Sequence, residues 1–171
     1  IVHSGISPQD VLNFQEDDAI IAFNDSSALF MRNWPYAYKH LNSYDSKVRG
    51  KFGITQLPRG PQGKAGCGTL GGWNLMININ SRNPDLAWKS SYEAQVLDNR
   101  LGGYAPTRKS VYTDPELNRI TPWISEFKNI FEAAKPRPVS PDYPAVSESM
   151  QKNFSEALSG RVTAKTAIEN I

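Results

Sequence analysis

The stretch Gly68-Thr69-Leu70-Gly71-Gly72-Trp73-Asn74-Leu75 sets a large aromatic directly behind two glycines, inside an apolar run. Glycine lets a ligand come close to the backbone and its hydrogen-bonding groups. The indole beside it supplies a flat apolar platform. That pairing suits a sugar, whose rings have apolar C–H faces and hydroxyls that need partners. Two further aromatic clusters, Trp34-Pro35-Tyr36-Ala37-Tyr38 and Asp142-Tyr143-Pro144, are candidates to line the same place. Trp34, Tyr36, Trp73 and Tyr143 all fall at element ends beside Pro or Gly, where open α/β folds build ligand clefts. Ordinary packing is the alternative for each. Arg108, after Pro106-Thr107, offers a fork of donors suited to hydroxyls. Its alternative is a surface arginine at a helix start.

The residue types that carry catalysis form no set. His3 lies near a terminus and His40 at a helix end, and both read as surface residues. HExxH, GxSxG and phosphate-loop patterns are absent. Gly60, Gly63, Gly66 and Gly68 surround Lys64 without the Lys-Ser/Thr ending of a phosphate loop, so they read as a flexible loop. Glu16, Asp17 and Asp18 read as a polar helix face rather than a metal patch. Cys67 reads as a small core residue, since no base is spaced to activate it. A glycosidase needs two acids flanking the aromatic site, and Asp85 and Asp142 are not so paired in sequence. No catalytic residue, metal site or cofactor is expected, and therefore no enzyme.

Composition bounds the class. The chain has 171 residues, enough for one compact domain with a sizeable core. Hydrophobic residues make up 39% and the formal charge is only +2, so the composition is soluble and globular, with no electrostatic case for nucleic acid. No run of about 18 apolar residues suggests a membrane span. A single cysteine excludes an internal disulfide and a multi-cysteine metal site. The chain opens Ile1-Val2-His3 without a start Met or signal pattern, and its helical end from Ala164 to Ile171 stops without a cap. Both are expected of a fragment.

The elements that must position these residues are mostly helical. Ser7-Pro8-Gln9-Asp10 predicts a helix start, running to about Phe23 and ended by Asn24-Asp25-Ser26-Ser27. Ala28 to Met31 predicts a buried strand leading to Trp34, and Pro35 starts a helix with Tyr36, Tyr38 and Leu41. Phe52 to Leu57 and Thr69 to Ile79 predict strands, separated by a Pro- and Gly-rich loop. Helices are expected from Pro84 to Arg100, ended by Gly102-Gly103, and from Pro115, broken near Pro122. Trp88, Trp123, Phe14, Phe127 and Phe154 fall on helical apolar faces and read as core. A proline-stiffened connector from Lys135 to Pro141 leads to a helix from Tyr143 to Leu158, capped at Gly160. Thr163 caps the last helix.

These residues carry a family likeness. In order, Trp34-Pro35-Tyr36-Ala37-Tyr38, Phe52-Gly53-Ile54-Thr55-Gln56-Leu57-Pro58, Gly71-Gly72-Trp73-Asn74-Leu75 and Gly103-Tyr104-Ala105-Pro106-Thr107-Arg108 resemble the C-terminal part of family 1 extracellular solute-binding proteins. Tyr143-Pro144-Ala145-Val146 and Ala157-Leu158-Ser159-Gly160 fit the same family, of the trehalose/maltose-binding type. The resemblance covers nearly the whole chain. It implies a helix-rich α/β fold of the type II periplasmic-binding-protein kind, incomplete here: mainly the second lobe, plus a segment crossing into the first. Residues 1–55 and 102–171 would be second-lobe segments, and residues 56–101 would cross to the first lobe.

The resemblance also implies a function. Such proteins capture a di- or oligosaccharide for an ABC importer and dock on its membrane permease subunits, in the periplasm or outside the cell, in some cases as anchored lipoproteins. It places Trp34, Tyr36, Gly71, Gly72, Trp73, Arg108 and Tyr143 at the ligand. A stand-alone glycan-binding module with a shallow aromatic groove is the alternative. One departure stands out: around Lys89-Ser90-Ser91-Tyr92 the chain skips about one helical turn of the family pattern. The apolar face of that helix (Leu86, Trp88, Val96, Leu97) would lack its first-lobe partner, which makes dimerisation or segment swapping an expectation.

Overall fold

The computed structural model describes residue 2, residues 4–72 and residues 76–171. Seven α-helices are formed among them: α1 (Glu16–Asn24), α2 (Tyr36–Leu41), α3 (Pro84–Gly102), α4 (Pro115–Ile120), α5 (Ile124–Ala133), α6 (Tyr143–Leu158) and α7 (Ala164–Glu169). The chain falls into two units, Arg32–Pro136 and a second made of Ile1–Met31 with Arg137–Ile171.

Local chemistry explains most helix ends. The first predicted helix is two pieces. A tight helical turn covers Gln9–Asn13, the backbone is extended at Phe14, and α1 restarts behind Gln15. Gln15 and Asp18 form a reciprocal capping box, with the Gln15 N–H donating to Asp18 Oδ2 at 2.9 Å. Asp18 is therefore a cap, which accounts for part of the acidic cluster without a metal. Asp114 caps α4, its Oδ1 accepting from the Leu117 N–H at 2.9 Å, and Thr163 caps α7 through Thr166. Pro122 separates α4 from α5, as its missing N–H requires. The C-terminus of α6 closes by bonds from the Gly160 N–H to the Ala157 carbonyl and from the Arg161 N–H to the Glu156 carbonyl, the paired pattern of a Schellman cap. In that unit α6 and α7 pack on each other, burying Ala167.

The core of the Arg32–Pro136 unit is Val111, Tyr112, Leu117, Trp123, Ile124 and Phe127, with Tyr38, Ile54, Tyr92, Val96, Ile130 and Phe131 against it. The helix pair α4–α5 and the turn at Lys109–Thr113 supply the buried residues, and α3 covers one side. Trp123 and Phe127 meet edge to face with ring centres 5.5 Å apart, a favoured aromatic geometry.

The predicted strands do not become ladders. Among the described residues the one β-pairing is an isolated parallel bridge between Thr69 and Lys135. Leu29 and Phe30 are exposed rather than buried, and Met76 and Ile79 likewise. Phe52 and Ile54 do keep alternate-residue packing, half-buried between exposed neighbours. An extended segment becomes a strand only when a neighbour takes its backbone N–H and C=O groups, and among the described residues the Thr69–Lys135 bridge is the one place where a β-pairing does so. Cys67 is exposed, because it lies in the same extended stretch. Trp88 and Phe154, read as core, are also more than a third exposed. Leu86, Leu97 and Leu101 share a face of α3 that the unit leaves open, while Trp88, near the start of the helix, lies on the opposite side and is still largely exposed.

Candidate functional site

Two candidate site residues distant in sequence, Trp34 and Gly71, meet within the Arg32–Pro136 unit. A Cβ added to Gly71 would sit 3.1 Å from the Trp34 ring edge, so the indole lies directly against that backbone. Only a glycine lets it lie so close without displacement. Gly72 is exposed, with open space where a side chain would go. Trp73 lies outside the described residues. Tyr36 opens α2, its ring 5.6 Å from His40 and 5.9 Å from Tyr104, centre to centre.

The start of α2 is anchored on the end of α3. Gly103 ends α3 in the left-handed region at φ 73°, and a Cβ there would stand 2.9 Å from Lys39 Cβ and 3.3 Å from Tyr36 Cα. Glycine thus meets both the backbone and the spacing requirement at one position. The Lys39 ammonium donates to the Arg100 carbonyl at 2.8 Å and to that of Leu101, placing a cation on the last carbonyls of α3.

Arg108 is half-buried against α3, its guanidinium carbon 5.5 Å from the Trp88 ring centre and 5.4 Å from that of Tyr92. The Tyr92 hydroxyl donates to Asp114 Oδ2 at 2.7 Å. That bond raises the phenol's pKa, while the Leu117 N–H and then Tyr92 hold the Asp114 carboxyl below its usual range. Tyr143 opens α6 in the other unit, with Pro144 in its first turn. None of Tyr104, Trp88, Tyr92 and Gln95 is a site candidate from the sequence, which reads Trp88 as core. The spacing of Trp88, Tyr92, Gln95 and Asn99 along α3 is a single helical stripe, and it is the signal that would have found three of them.

Two polar residues support the loop from Tyr104 to Arg108 from inside. Asn99 is fully buried; its Nδ2 donates to the Tyr104 carbonyl at 2.9 Å and its Oδ1 accepts from the Thr121 hydroxyl at 3.2 Å. The buried Tyr112 hydroxyl donates to the Pro106 carbonyl at 2.5 Å. Burial pushes the Tyr112 phenol far above its ordinary value. The folded state therefore keeps this phenol protonated where the unfolded chain, titrating near 10, loses its proton. Its contribution is whole below pH ~10 and falls above it by about 1.4 kcal/mol per pH unit. Urea unfolding followed by circular dichroism between pH 9 and 11.5 should show a shallower alkaline loss in Tyr112→Phe than in the wild type. Tyr92 shifts the same way, so some slope remains. Equal slopes would disprove the assignment.

Among the described residues no group of three His, Cys, Asp or Glu side chains is placed to hold a metal ion, and no helix is long and apolar enough to cross a membrane.

The fold matches a solved structure described as maltose-bound MalE3 of T. maritima, with TM-score 0.81 and 39% identity, over 95% of this chain and 43% of that one. This is a periplasmic-binding-protein fold, helix-rich and partial. No family model matches the chain. A probable ABC transporter-binding protein of Deinococcus radiodurans is 32% identical over 169 residues, 94% of this chain and 39% of that protein. A probable amino-acid ABC transporter periplasmic-binding protein of Sinorhizobium fredii, y4oP, is 34% identical over 95 residues, 52% of this chain and 20% of that protein. The homologues of this chain are ABC transporter-binding proteins, and the chain spans about two fifths, or less, of the length of these relatives.

Proposed function

We propose that the chain is the C-terminal part of a sugar-capturing protein of an ABC importer, working in the periplasm or outside the cell without catalysing a reaction. The ligand is a di- or oligosaccharide held in a cleft between two lobes by ring stacking and hydrogen bonds. Trp34, Tyr36 and Trp73 supply the aromatic faces, Gly71 and Gly72 the backbone donors, and Arg108 and Tyr143 the polar and aromatic arms of the second lobe. Residues 1–55 and 102–171 belong to that lobe in this reading, residues 56–101 cross to the first, and the closed protein docks on permease subunits. The observation that carries it is the 39% identity, over 95% of the chain, with a structure described as maltose-bound. The indole of Trp34 against the Gly71 backbone, beside the open Gly72, supports it.

A half-cleft encloses little of its ligand, and tight sites bury most of theirs. Binding by this chain is therefore expected to be weak, with a Kd on the order of 1 mM or above. Amide and indole NMR shifts during titration with maltose, trehalose and sucrose should move at Gly71, Gly72 and the Trp34 indole. The same titration with free amino acids should leave them still, which matters because one relative carries an amino-acid name. Shifts with an amino acid and none with any sugar would overturn the proposal.

A further inference from the structure

The loop from Tyr104 to Arg108 is held by side chains at nearly every step. Asn99 takes the Tyr104 carbonyl and Tyr112 the Pro106 carbonyl. The Gln95 side-chain oxygen then accepts from the Thr107 N–H at 2.8 Å, the Arg108 N–H at 3.0 Å and the Thr107 hydroxyl at 3.2 Å. Converging three donors on one carboxamide oxygen fixes the last two residues of the loop to α3. One and two turns earlier on the same face, Tyr92 and Trp88 receive the Arg108 guanidinium. The stripe at 88, 92, 95 and 99 thus shapes both the backbone and the side chain of Arg108.

We infer that Gln95 is a positioning residue, whose side-chain oxygen presets the Thr107–Arg108 backbone so that the Arg108 guanidinium rests on the Trp88 and Tyr92 rings. This rests on the proposed role of Arg108 at the ligand. A wall ordered before the ligand arrives loses less freedom on binding, which is the source of affinity in preorganised sites. A glutamate at position 95 keeps the accepting oxygen, whereas a methionine keeps the shape and removes it.

The experiment compares the wild-type chain with Gln95→Met and Gln95→Glu, reading amide hydrogen exchange and the Arg108 Hε chemical shift. Gln95→Met is expected to speed exchange at Thr107 and Arg108 roughly tenfold or more and to remove the ring-induced displacement of the Arg108 Hε signal. Gln95→Glu is expected to retain both. Exchange at Phe127 and Ile130 in α5 should not change, which separates a local effect from general loosening. Unaltered exchange at Thr107 and Arg108 in Gln95→Met would overturn the inference. So would a parallel rise in α5, or a Gln95→Glu variant that behaves like Gln95→Met. Titration of the same samples with maltose, trehalose and sucrose keeps the two readings apart: no response from the wild type to any of them would remove the ligand role of Arg108, while the exchange data would still decide whether Gln95 holds it.

Discussion

Asn99→Leu should lower the unfolding free energy by about 1–3 kcal/mol, among the larger effects available in this chain. The substitution keeps roughly the volume and removes both polar ends. The Tyr104 carbonyl then loses the Asn99 Nδ2 donor and the Thr121 hydroxyl loses its Oδ1 acceptor. Thr121 keeps a partner, since the single proton of its hydroxyl is shared with the nearer Leu117 carbonyl at 2.8 Å. The loss therefore falls mainly on the Tyr104 carbonyl, beside an Asn99 site with no exposure to solvent. An unmade bond inside the protein costs the full desolvation of the stranded group, and each such group is worth about 1–3 kcal/mol. The leucine returns some of this by burying apolar area. Urea unfolding monitored by circular dichroism measures the difference, and a change below about 0.5 kcal/mol, the range of ordinary surface substitutions, would show that the Asn99 contacts contribute little.

Ile124→Ala should cost more, about 2–5 kcal/mol, for a different reason. Ile124 begins α5 and has no exposed surface, at the centre of the cluster formed by Val111, Tyr112, Leu117, Trp123 and Phe127. Cutting it to alanine removes three carbons of buried apolar surface and leaves a void. Aromatic neighbours, held at fixed ring geometries such as that of Trp123 and Phe127, collapse into such a void poorly, which puts the cost toward the upper part of the range. Ile124→Val should cost only about 0.5–1.5 kcal/mol. Leu97→Ala serves as a control: Leu97 is half exposed on α3 and should change stability by about 0.5 kcal/mol or less. Against a total stability of about 5–15 kcal/mol for a domain, either large change should be plain in the midpoint. Equal costs for Ile124→Ala and Leu97→Ala would show that the cluster around Ile124 is not the centre of stability.

Helix ends were the most legible part of the fold. Asp114-Pro115, Thr163, Gly103 and Gly160 act through atoms within a few residues of themselves, so their chemistry can be read without knowing what lies across the core. Tyr143–Leu158 forms as expected, and the break at Pro122 lies between α4 and α5. The first helix was misjudged, because a single extended residue at Phe14 lets Gln15 and Asp18 cap a new start. The apolar runs at 28–31 and 69–79 were read as strands from composition, but a strand depends on a partner that local pattern does not reveal.

The candidate site divides in the same way. The pairing of glycine with an aromatic was visible at once, and the structure sets Trp34 against Gly71. The role of α3 in holding Arg108 was not visible. Its stripe of Trp88, Tyr92, Gln95 and Asn99 looked like part of an ordinary amphipathic helix, and Trp88 was assigned to the core.

The sequence by itself determined most helix ends and the likeness to ABC transporter-binding proteins, since each is written in residues close together or in motifs of fixed order. Only the tertiary structure decided which apolar runs find a partner, that Trp88 faces outward, and that Gln95 and Asn99 shape the loop bearing Arg108. Those outcomes depend on groups brought together from distant parts of the chain. Hydrogen bonds and burial act across a few ångströms of space, whatever the number of residues between the partners.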